Sequence, residues 1–384
     1  MNHVKEVLLV FLIPATAKVF PQTPDRGKNP AVQVNATYKG DFVSNLHGGI
    51  ETGSTYLGLV DLFFDFDTEK AGLWRGGELL VHGANSHGGE PSADLIGDFQ
   101  VVSNIEAGDH TFLYELWYKQ MISKMDITIG LQDMNAEFAN SDIGALFLNS
   151  SFGIHSVIAD NINAPLFPLT SPGITICYEA TDRIIVKTAL YKGCPVDFKS
   201  NPHNLEWDLD YQDGLLWITE VQFSWKGTRN RGNTLKAGAF FHQHCDDAAA
   251  AAPETGENQE QDDGFYLVGD HQIFYENGSK KKLNVFYQLG WSPRNDNFGY
   301  FGAGCTYTGL FSKNGTNQAG LAIARGMLTE ERGQDETTFE LTYKAQITGN
   351  IYFQPDVQYV VHPAGTGIPL KNAAAGLIRL GLEF

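Results

Sequence analysis

The last fifty residues of the chain alternate between apolar and polar side chains almost without interruption. The pattern is clearest in T-F-E-L-T-Y-K-A-Q-I (338–347) and in the final A-G-L-I-R-L-G-L-E-F (375–384), which ends on Phe384. Because successive side chains of a strand point to opposite faces, this pattern predicts strands with one apolar and one polar face. A soluble protein rarely ends on an apolar edge strand, which promotes aggregation, whereas in a closed membrane barrel the last strand pairs with the first.

The same alternation recurs upstream and predicts about sixteen strands, an even number as in bacterial single-chain barrels. The predicted strands are 32–43, 54–68, 76–84, 110–121, 125–133, 173–181, 183–192, 213–225, 232–241, 264–277, 280–291, 298–311, 317–328, 335–347, 350–361 and 373–384. The abundance of aromatic residues (25 Phe, 15 Tyr and 6 Trp) and of glycine (41) also favours strands and tight turns. The alternative is a soluble all-β protein, which would have to bury nearly sixteen apolar faces around one core.

The predicted connections alternate in length. Short ones fall at 123–124, 181–182, 277–279, 312–316 and 348–350, and the longer ones include 85–109, 134–172, 193–212 and 242–263. Tight turns at one end and long loops at the other are typical of outer-membrane barrels. This arrangement places both chain ends at the short-turn, periplasmic side. The acidic, Ala-rich segment 246–263 is predicted to be a low-complexity external loop.

The N-terminus has the features of a secretory signal. Residues 1–17 contain Lys5, the apolar run V-L-L-V-F-L-I and the small-x-small sequence Ala15-Thr16-Ala17. A buried N-terminal strand is the alternative. We therefore expect a signal peptide at 1–17, an N-terminal periplasmic segment at 18–31 and a single barrel domain at 32–384.

The formal net charge is −18, from 45 acidic and 27 basic residues. Nucleic acid is therefore not expected as a partner, because phosphate binding requires a basic patch. A strongly acidic pore would also disfavour anionic solutes.

The loops 85–109 and 134–172 are too long to be simple connections and are predicted to carry structure of their own. In 134–172, a group of apolar residues is spaced roughly as a short amphipathic helix: Ala136, Phe138, Ala139, Ile143, Leu146 and Phe147. Such a loop either folds inward and narrows the lumen, or lies outside as a lid. We expect the inward arrangement.

Several segments resemble the carbohydrate-selective, OprB-type porin family. They are Y-K-G-D-F-V-S-N-L-H-G-G (38–49), H-G-G-E-P-S-A-D-L-I-G-D-F-Q-V-V-S-N-I-E-A (87–107), L-Y-E-L-W-Y-K-Q (113–120), L-Q-D-M-N-A-E-F (131–138), F-L-N-S-S-F-G (147–153) and F-Q-P-D-V-Q-Y-V-V-H-P (353–363). The resemblance, from about Tyr38 to Phe384, implies an all-β transmembrane antiparallel barrel in the outer membrane of a Gram-negative bacterium. It implies passive, sugar-selective diffusion of glucose-like mono- or oligosaccharides, with lipids and carbohydrates as partners, and a monomer or homotrimer. The segment 242–263 and the cysteines depart from the family pattern.

A pore that favours neutral sugars pairs aromatic platforms with carboxylates, amides and basic groups, arranged loosely enough to release the solute. In strand 110–121, Glu115, Trp117 and Lys119 share one face, opposite Phe112, Tyr114, Leu116 and Tyr118. We predict that the first three line the pore, with Trp117 as a sugar platform. Further pore-lining candidates are Asp98, Gln100, Asn104, Glu106, Asp133, Asn135 and Glu137. The alternative for each of these residues is structural, such as hydrogen bonds that fasten a loop to the wall.

The remaining motifs do not predict catalysis or a cofactor. There is no G-x-S-x-G, H-E-x-x-H or C-x-x-C, so the chain is not expected to be an enzyme. His242-x-His244-Cys245-Asp246 has suitable zinc chemistry but no further ligand at a supporting spacing, so no metal is expected. Cys194 and Cys245 both begin loops and could form a disulfide if the protein is exported.

The predicted function is therefore a sugar-selective porin. A general, cation-leaning diffusion porin and a surface adhesin or receptor barrel remain as alternatives. Phe384 is expected to lie on the lipid-facing side, where barrel assembly machinery reads a C-terminal aromatic residue.

Overall fold

Sixteen antiparallel strands close into one barrel, in which each strand pairs with its chain neighbours and the first pairs with the last. This computed structural model describes residues 30–207, 214–227, 232–244, 261–276, 280–312 and 315–384. The strands are β1 (Val32–Gly49), β2 (Gly53–Asp67), β3 (Gly77–Gly88), β4 (His110–Ile122), β5 (Met125–Gln132), β6 (Ser171–Thr181), β7 (Ile184–Lys192), β8 (Leu215–Lys226), β9 (Gly232–Gln243), β10 (Gln261–Tyr275), β11 (Lys282–Trp291), β12 (Asn297–Thr308), β13 (Gln318–Leu328), β14 (Glu336–Gln346), β15 (Ile351–Val361) and β16 (Lys371–Glu383). The predicted all-β fold and strand number are confirmed. The signal peptide 1–17, nearly all of 18–31 and most of the acidic segment 246–263 lie outside the described residues.

The alternation predicted from the sequence separates an outer from an inner face. In β16, Ile378 and Leu380 are exposed on the outside, whereas Leu377 and Arg379 are buried on the inside. Phe384 lies in the outer row and is 71% exposed. An apolar exterior around a polar interior is the arrangement that a hydrocarbon environment requires.

A β-bulge in β4 reverses part of the predicted face assignment. His82 pairs with Glu115 and Gly83 pairs with Leu113, so Tyr114 is an extra residue between them. Phe112 and Tyr114 are consequently buried inside the barrel with Ala84, rather than outside. The prediction that these two aromatic residues lie opposite Glu115 is therefore wrong.

The four longest connections all lie at one end of the barrel, although two short connections, 50–52 and 292–296, lie there too. The first inner loop (89–109) and the second inner loop (133–170) follow β3 and β5, whereas only two residues, 123–124, join β4 to β5. Both chain ends of the barrel lie at the short-turn end, where Phe384 N donates to Ala36 O (2.9 Å).

Both inner loops fold into the lumen. They contain only single helical turns, at Ser92–Ile96, Met134–Glu137, Gly144–Leu146, Ser150–Phe152 and Ser156–Ala159. The expected amphipathic helix is thus broken into separate turns, although its apolar residues are inside: Phe138 and Phe147 are buried against inward wall residues such as Tyr266 and Phe286. The inward arrangement is confirmed.

Among the residues that the structure describes, every helix is too short or too polar to cross a membrane.

Candidate functional site: the narrowed lumen

The inner loops leave a space of about 1790 Å³ inside the barrel, which we call the lumen cavity. Loop residues that line it include Gln100, Asn104, Glu106, Asp133 and Asn135, and wall residues that line it include Lys39, Asp61, Phe63, His82, Lys344 and Arg379. Aromatic rings and polar groups therefore meet the same space, as a site for neutral polar solutes requires.

The charges that line the lumen cavity are almost balanced. Among the described residues, six Lys or Arg and eight Asp or Glu contribute to its lining. The whole chain, by contrast, carries a formal charge of −18. The field inside the cavity is therefore much less acidic than the composition of the chain indicates.

Wall carboxylates bind backbone N–H groups of the inner loops. Glu336 accepts hydrogen bonds from Phe99 N and Gln100 N (both 3.1 Å), and Glu340 accepts from Leu148 N (2.6 Å) and Asn149 N (3.0 Å). Glu220 accepts from Ala139 N (3.0 Å), and Asp270 accepts from Asp142 N (3.0 Å). These acceptors satisfy backbone donors that would otherwise be buried without a partner, which costs about 1–3 kcal/mol each.

Wall amides and lysines complement this arrangement by donating to loop carbonyls. Gln354 Nε2 donates to Leu146 O and Gln358 Nε2 to Val102 O, each at 2.8 Å. Lys236 Nζ donates to Asn140 O (2.9 Å). The inner loops are thus held from β8, β9, β10, β14 and β15, which fixes the width of the lumen.

The pair Asp41–Arg379 joins the first and last strands inside the barrel. The two residues are directly opposite in register, and both side chains are buried. Arg379 Nε and Nη2 each donate to one oxygen of Asp41 at 2.6 Å, while Ser103 Oγ of the first inner loop also donates to Asp41 (2.7 Å). The barrel seam and the loop therefore share one carboxylate.

A second charged network spans β1 to β4. His82 lies between Asp61 (Nε2 to Oδ1, 3.1 Å) and Glu115 (Nδ1 to Oε2, 3.4 Å), and Lys39 Nζ is 3.8 Å from Asp61. The ring of Phe63 packs on His82, with 4.0 Å between their centroids. Phe63, Asp61, His82 and Lys39 form one wall patch that faces the lumen cavity, and we call it the β1–β3 patch.

The predicted residues of β4 join this network but lie beside the lumen cavity. Trp117 Nε1 donates to Glu115 Oε1 (3.2 Å), and Lys119 Nζ lies 4.8 Å from the Trp117 ring centroid. Glu115, Trp117 and Lys119 are not among the residues that line the lumen cavity. The role of Trp117 as a sugar platform stays a prediction.

The predicted residues of the first inner loop fasten it to the wall and to the second inner loop, and they also form a hydrogen bond within it. Gln100 Nε2 donates to Glu336 Oε1 (3.2 Å), Asn104 Nδ2 to Phe147 O (3.4 Å), and Ser92 N to Glu106 Oε1 (3.0 Å). Asp98 is buried. Burial raises the pKa of Asp98 to about 6, and burial together with the charge of Asp98 raises the pKa of Glu106 to about 8.

The predicted residues of the second inner loop have similar structural contacts. Asp133 accepts from Asn135 N (2.8 Å) and from Tyr114 OH (2.7 Å), and burial raises its pKa to about 6. Glu137 forms an ion pair with Lys187 (2.7 Å). Gln100, Asn104, Glu106, Asp133 and Asn135 line the lumen cavity, whereas Asp98 and Glu137 do not, and sugar contact by any of these residues stays a prediction.

Sequence reasoning missed Lys39, Phe63, His82 and Arg379 as cavity residues. Alternation places them on inner faces, but nothing local distinguishes them from other inward residues. These residues are brought together by contacts between neighbouring strands, and which residues meet there depends on the pairing register of the strands.

Cys177 and Cys305 are free, and Cys194 is disulfide-bonded. The predicted partner, Cys245, lies outside the described residues. The pairing of Cys194 with Cys245 stays a prediction.

Comparisons with known proteins bear on the whole barrel. Residues 51–384 match the family model described as "Carbohydrate-selective porin, OprB family". No curated protein matches the chain. The solved structure "High pH structure of Pseudomonas putida OprB" is similar over 92% of this chain and 94% of its own, with a TM-score of 0.79 and 19% identity.

Two further solved structures share the fold. "Low pH structure of Pseudomonas putida OprB" has a TM-score of 0.60 and 16% identity over 92% of this chain and 93% of its own. Pseudomonas aeruginosa OpdK, solved with vanillate, has a TM-score of 0.51 and 8% identity, covering 92% of this chain and 98% of its own.

Proposed function

This chain belongs to the OprB family of carbohydrate-selective porins, and we propose that the β1–β3 patch makes its main sugar contacts. The barrel lies in the bacterial outer membrane and passes carbohydrates by diffusion. Its family and fold are those of channels rather than enzymes. The proposed substrates are glucose-like mono- or oligosaccharides, as the sequence resemblance implies.

The observation that carries this proposal is the composition of the β1–β3 patch. A pyranose offers hydroxyl groups at its edge and a weakly apolar face. The half-buried ring of Phe63 supplies a platform for that face, and the adjacent Asp61 and Lys39 supply an acceptor and a donor for hydroxyls. The amides of Asn104 and Asn135 line the same cavity from the loop side. Several weak contacts of this kind favour entry and still permit release.

A planar-bilayer experiment tests the patch. Glucose or maltose added to the wild-type channel is expected to reduce the ion current in a concentration-dependent way. Phe63→Leu should weaken that block several-fold, because it removes the flat ring while keeping an apolar side chain. Phe64→Leu is the matched control, because its ring lies on the outer face of the same strand.

Trp117→Leu distinguishes the two candidate platforms. If Trp117→Leu abolishes the sugar block and Phe63→Leu leaves it intact, the platform is Trp117 and the proposed patch is wrong. If no sugar changes the wild-type current, sugar contact inside the lumen is wrong altogether.

The alternative, a general cation-leaning porin, differs in ion selectivity. The balanced charges of the lumen cavity favour weak selectivity, so the reversal potential in a potassium chloride gradient should lie close to zero. The alternative would be supported if the wild-type channel is strongly cation-selective and sugars do not reduce its ion current.

We propose that the barrel assembly machinery recognises the C-terminal residue, Phe384. Phe384 is exposed on the outer face, and its backbone pairs with Ala36 beside the seam. The oligomeric state, monomer or homotrimer, stays a prediction.

A further inference from the structure

Two histidines and an aspartate meet at the loop-bearing end of the barrel, where β9 ends and β10 begins. His242 and Asp262 are opposite each other in register, and His244 follows the last residue of β9. One potential ligand atom from each lies within 4.8 Å of the other two. We propose that these three side chains, which we call the rim triad, bind a divalent transition metal of the zinc class.

His242 is prepared to act as a ligand through Nδ1. Its side chain is fully buried, and its Nε2 lies 2.8 Å from Gly193 O. Because a carbonyl oxygen can only accept a hydrogen bond, Nε2 carries the proton and Nδ1 carries the lone pair. Metal-binding histidines commonly donate their second ring N–H to a carbonyl in this way, which fixes the tautomer and the orientation of the ring.

The lone pair of His242 Nδ1 has no hydrogen-bond partner among the described residues. The same holds for Oδ1 of Asp262, which is 1% exposed. A buried polar atom without a partner is costly, and two such atoms within one cluster of potential ligands indicate that a further group binds there. A cation satisfies both at once, since both atoms are electron-pair donors.

His244 completes the rim triad and provides access from outside. Its Nε2 lies 2.6 Å from Asp262 Oδ2, its ring centroid lies 4.9 Å from that of His242, and its side chain is 25% exposed. A tetrahedral zinc ion with bonds of about 2.0–2.1 Å holds its ligand atoms roughly 3.4 Å apart. Because His244 is partly exposed at a strand end, a small rotation of its ring can close the site.

The donor set selects the class of metal. Two imidazole nitrogens and one carboxylate oxygen match the ligands of zinc and related transition metals, whereas Ca²⁺ and Mg²⁺ prefer oxygen ligands only. Cys194, which precedes β8 near Gly193, is disulfide-bonded and offers no thiolate. The expectation of no metal rested on the lack of a nearby ligand in the sequence, and the barrel register supplies that ligand as Asp262.

The rim triad is separate from the lumen cavity, because none of its three residues lines that cavity. A bound metal would join the ends of β9 and β10, where the acidic segment leaves the barrel. The inference is therefore independent of the proposed sugar contacts.

Zinc titration of the purified, folded barrel in detergent, without reductant and against a chromogenic chelator, tests the site. Wild type should bind one Zn²⁺ per chain. His242→Gln and Asp262→Asn should each weaken binding at least ~10-fold, as is usual when a metal site loses a supporting or direct ligand. His47→Gln is the matched control, because His47 is an exposed histidine of β1 outside the site.

Folding of each variant is checked by the band shift between heated and unheated gel samples, and sugar block of the current should be unchanged. If one of the buried variants fails to fold, His244→Gln tests the site instead, because His244 is partly exposed. The same ~10-fold loss of zinc affinity is expected for it. The proposal is overturned if folded wild type binds no zinc more tightly than the chelator controls, or if the folded variants bind it as wild type does.

Discussion

At the scale of single residues, the lumen is narrowed by hydrogen bonds between wall carboxylates and loop backbone. Glu340 accepts from two consecutive N–H groups, Leu148 and Asn149, and its side chain is buried. Leaving a buried N–H group without an acceptor costs about 1–3 kcal/mol, so one wall residue that satisfies two of them has a large share in fixing the second inner loop.

Glu340→Ala is expected to release this part of the second inner loop, because Leu148 N and Asn149 N lose their acceptor. Single-channel recordings should show a higher and noisier conductance than wild type. Thr338→Val is the control, since Thr338 is a buried inward residue of the same strand whose hydroxyl has no hydrogen-bond partner among the described residues. An unchanged conductance in Glu340→Ala would contradict the role given to the carboxylate.

Glu106 makes the folded barrel sensitive to pH. Its pKa is raised from 4.5 to about 8, first by burial and then by the charge of Asp98. Between these pH values the folded state binds a proton that the unfolded chain has released. The contribution of Glu106 to stability is therefore fully present below about pH 4.5 and is lost as the pH rises toward 8.

Glu106→Gln, which is neutral throughout, is expected to flatten this dependence. Thermal melts followed by circular dichroism should show a smaller fall in Tm for the variant than for wild type between about pH 5 and about pH 8.5. Glu90→Gln, at an exposed position of the same loop, should behave as wild type does. Equal slopes for wild type and Glu106→Gln would disprove the assignment.

At the scale of secondary-structure elements, closure of the barrel depends on the β1–β16 seam. Asp41 and Arg379 form a buried, doubly hydrogen-bonded pair across it. Arg379→Met is expected to destabilise the barrel by about 3–5 kcal/mol, because it leaves the Asp41 charge buried without its partner.

The double variant Asp41→Asn/Arg379→Met should be more stable than Arg379→Met alone, because no unpaired charge remains. Urea unfolding in detergent measures the stability of both single variants, Asp41→Asn and Arg379→Met, and of the double variant. If the double variant loses the sum of the two single losses, the two side chains do not interact as described.

Strand positions could be predicted closely from the sequence because the two-residue period is local. The prediction fails at Tyr114, where the bulge depends on pairing with His82 and Gly83 of the neighbouring strand. The inner loops show the same limit. The apolar residues of the second inner loop indicated a structured segment. They could not distinguish one helix from separate turns, because the wall groups that bind this backbone come from distant strands.

At the scale of the whole molecule, charge is distributed unevenly between the lumen cavity and the rest of the chain. The net charge of −18 suggested an acidic pore, yet the lining of the cavity is nearly neutral. Many acidic residues instead bind loop N–H groups or lie elsewhere. Composition could not predict this, because it carries no information on where each carboxylate lies.

The whole barrel also has to reach its membrane, and the exposed Phe384 is the proposed recognition point. Phe384→Ser is expected to lower the amount of folded barrel in the outer membrane of living cells, while refolding of the purified protein is reduced much less. Phe353→Ser, another outward aromatic of the barrel, is the control. Membrane fractionation and unheated gels measure the yield, and equal yields for both variants would contradict the proposal.

The hydrogen bonds that fasten the inner loops connect early and late parts of the chain. Gln100 N binds Glu336, 236 residues away, and Leu148 N binds Glu340, 192 residues away. Contacts of such long sequence separation form late, because the intervening chain must first be ordered. Because Glu336 and Glu340 both lie in β14, the first inner loop and the Leu148 part of the second inner loop gain these acceptors only after β14 has joined the barrel. The final width of the passage is therefore set only when synthesis and closure of the barrel are complete.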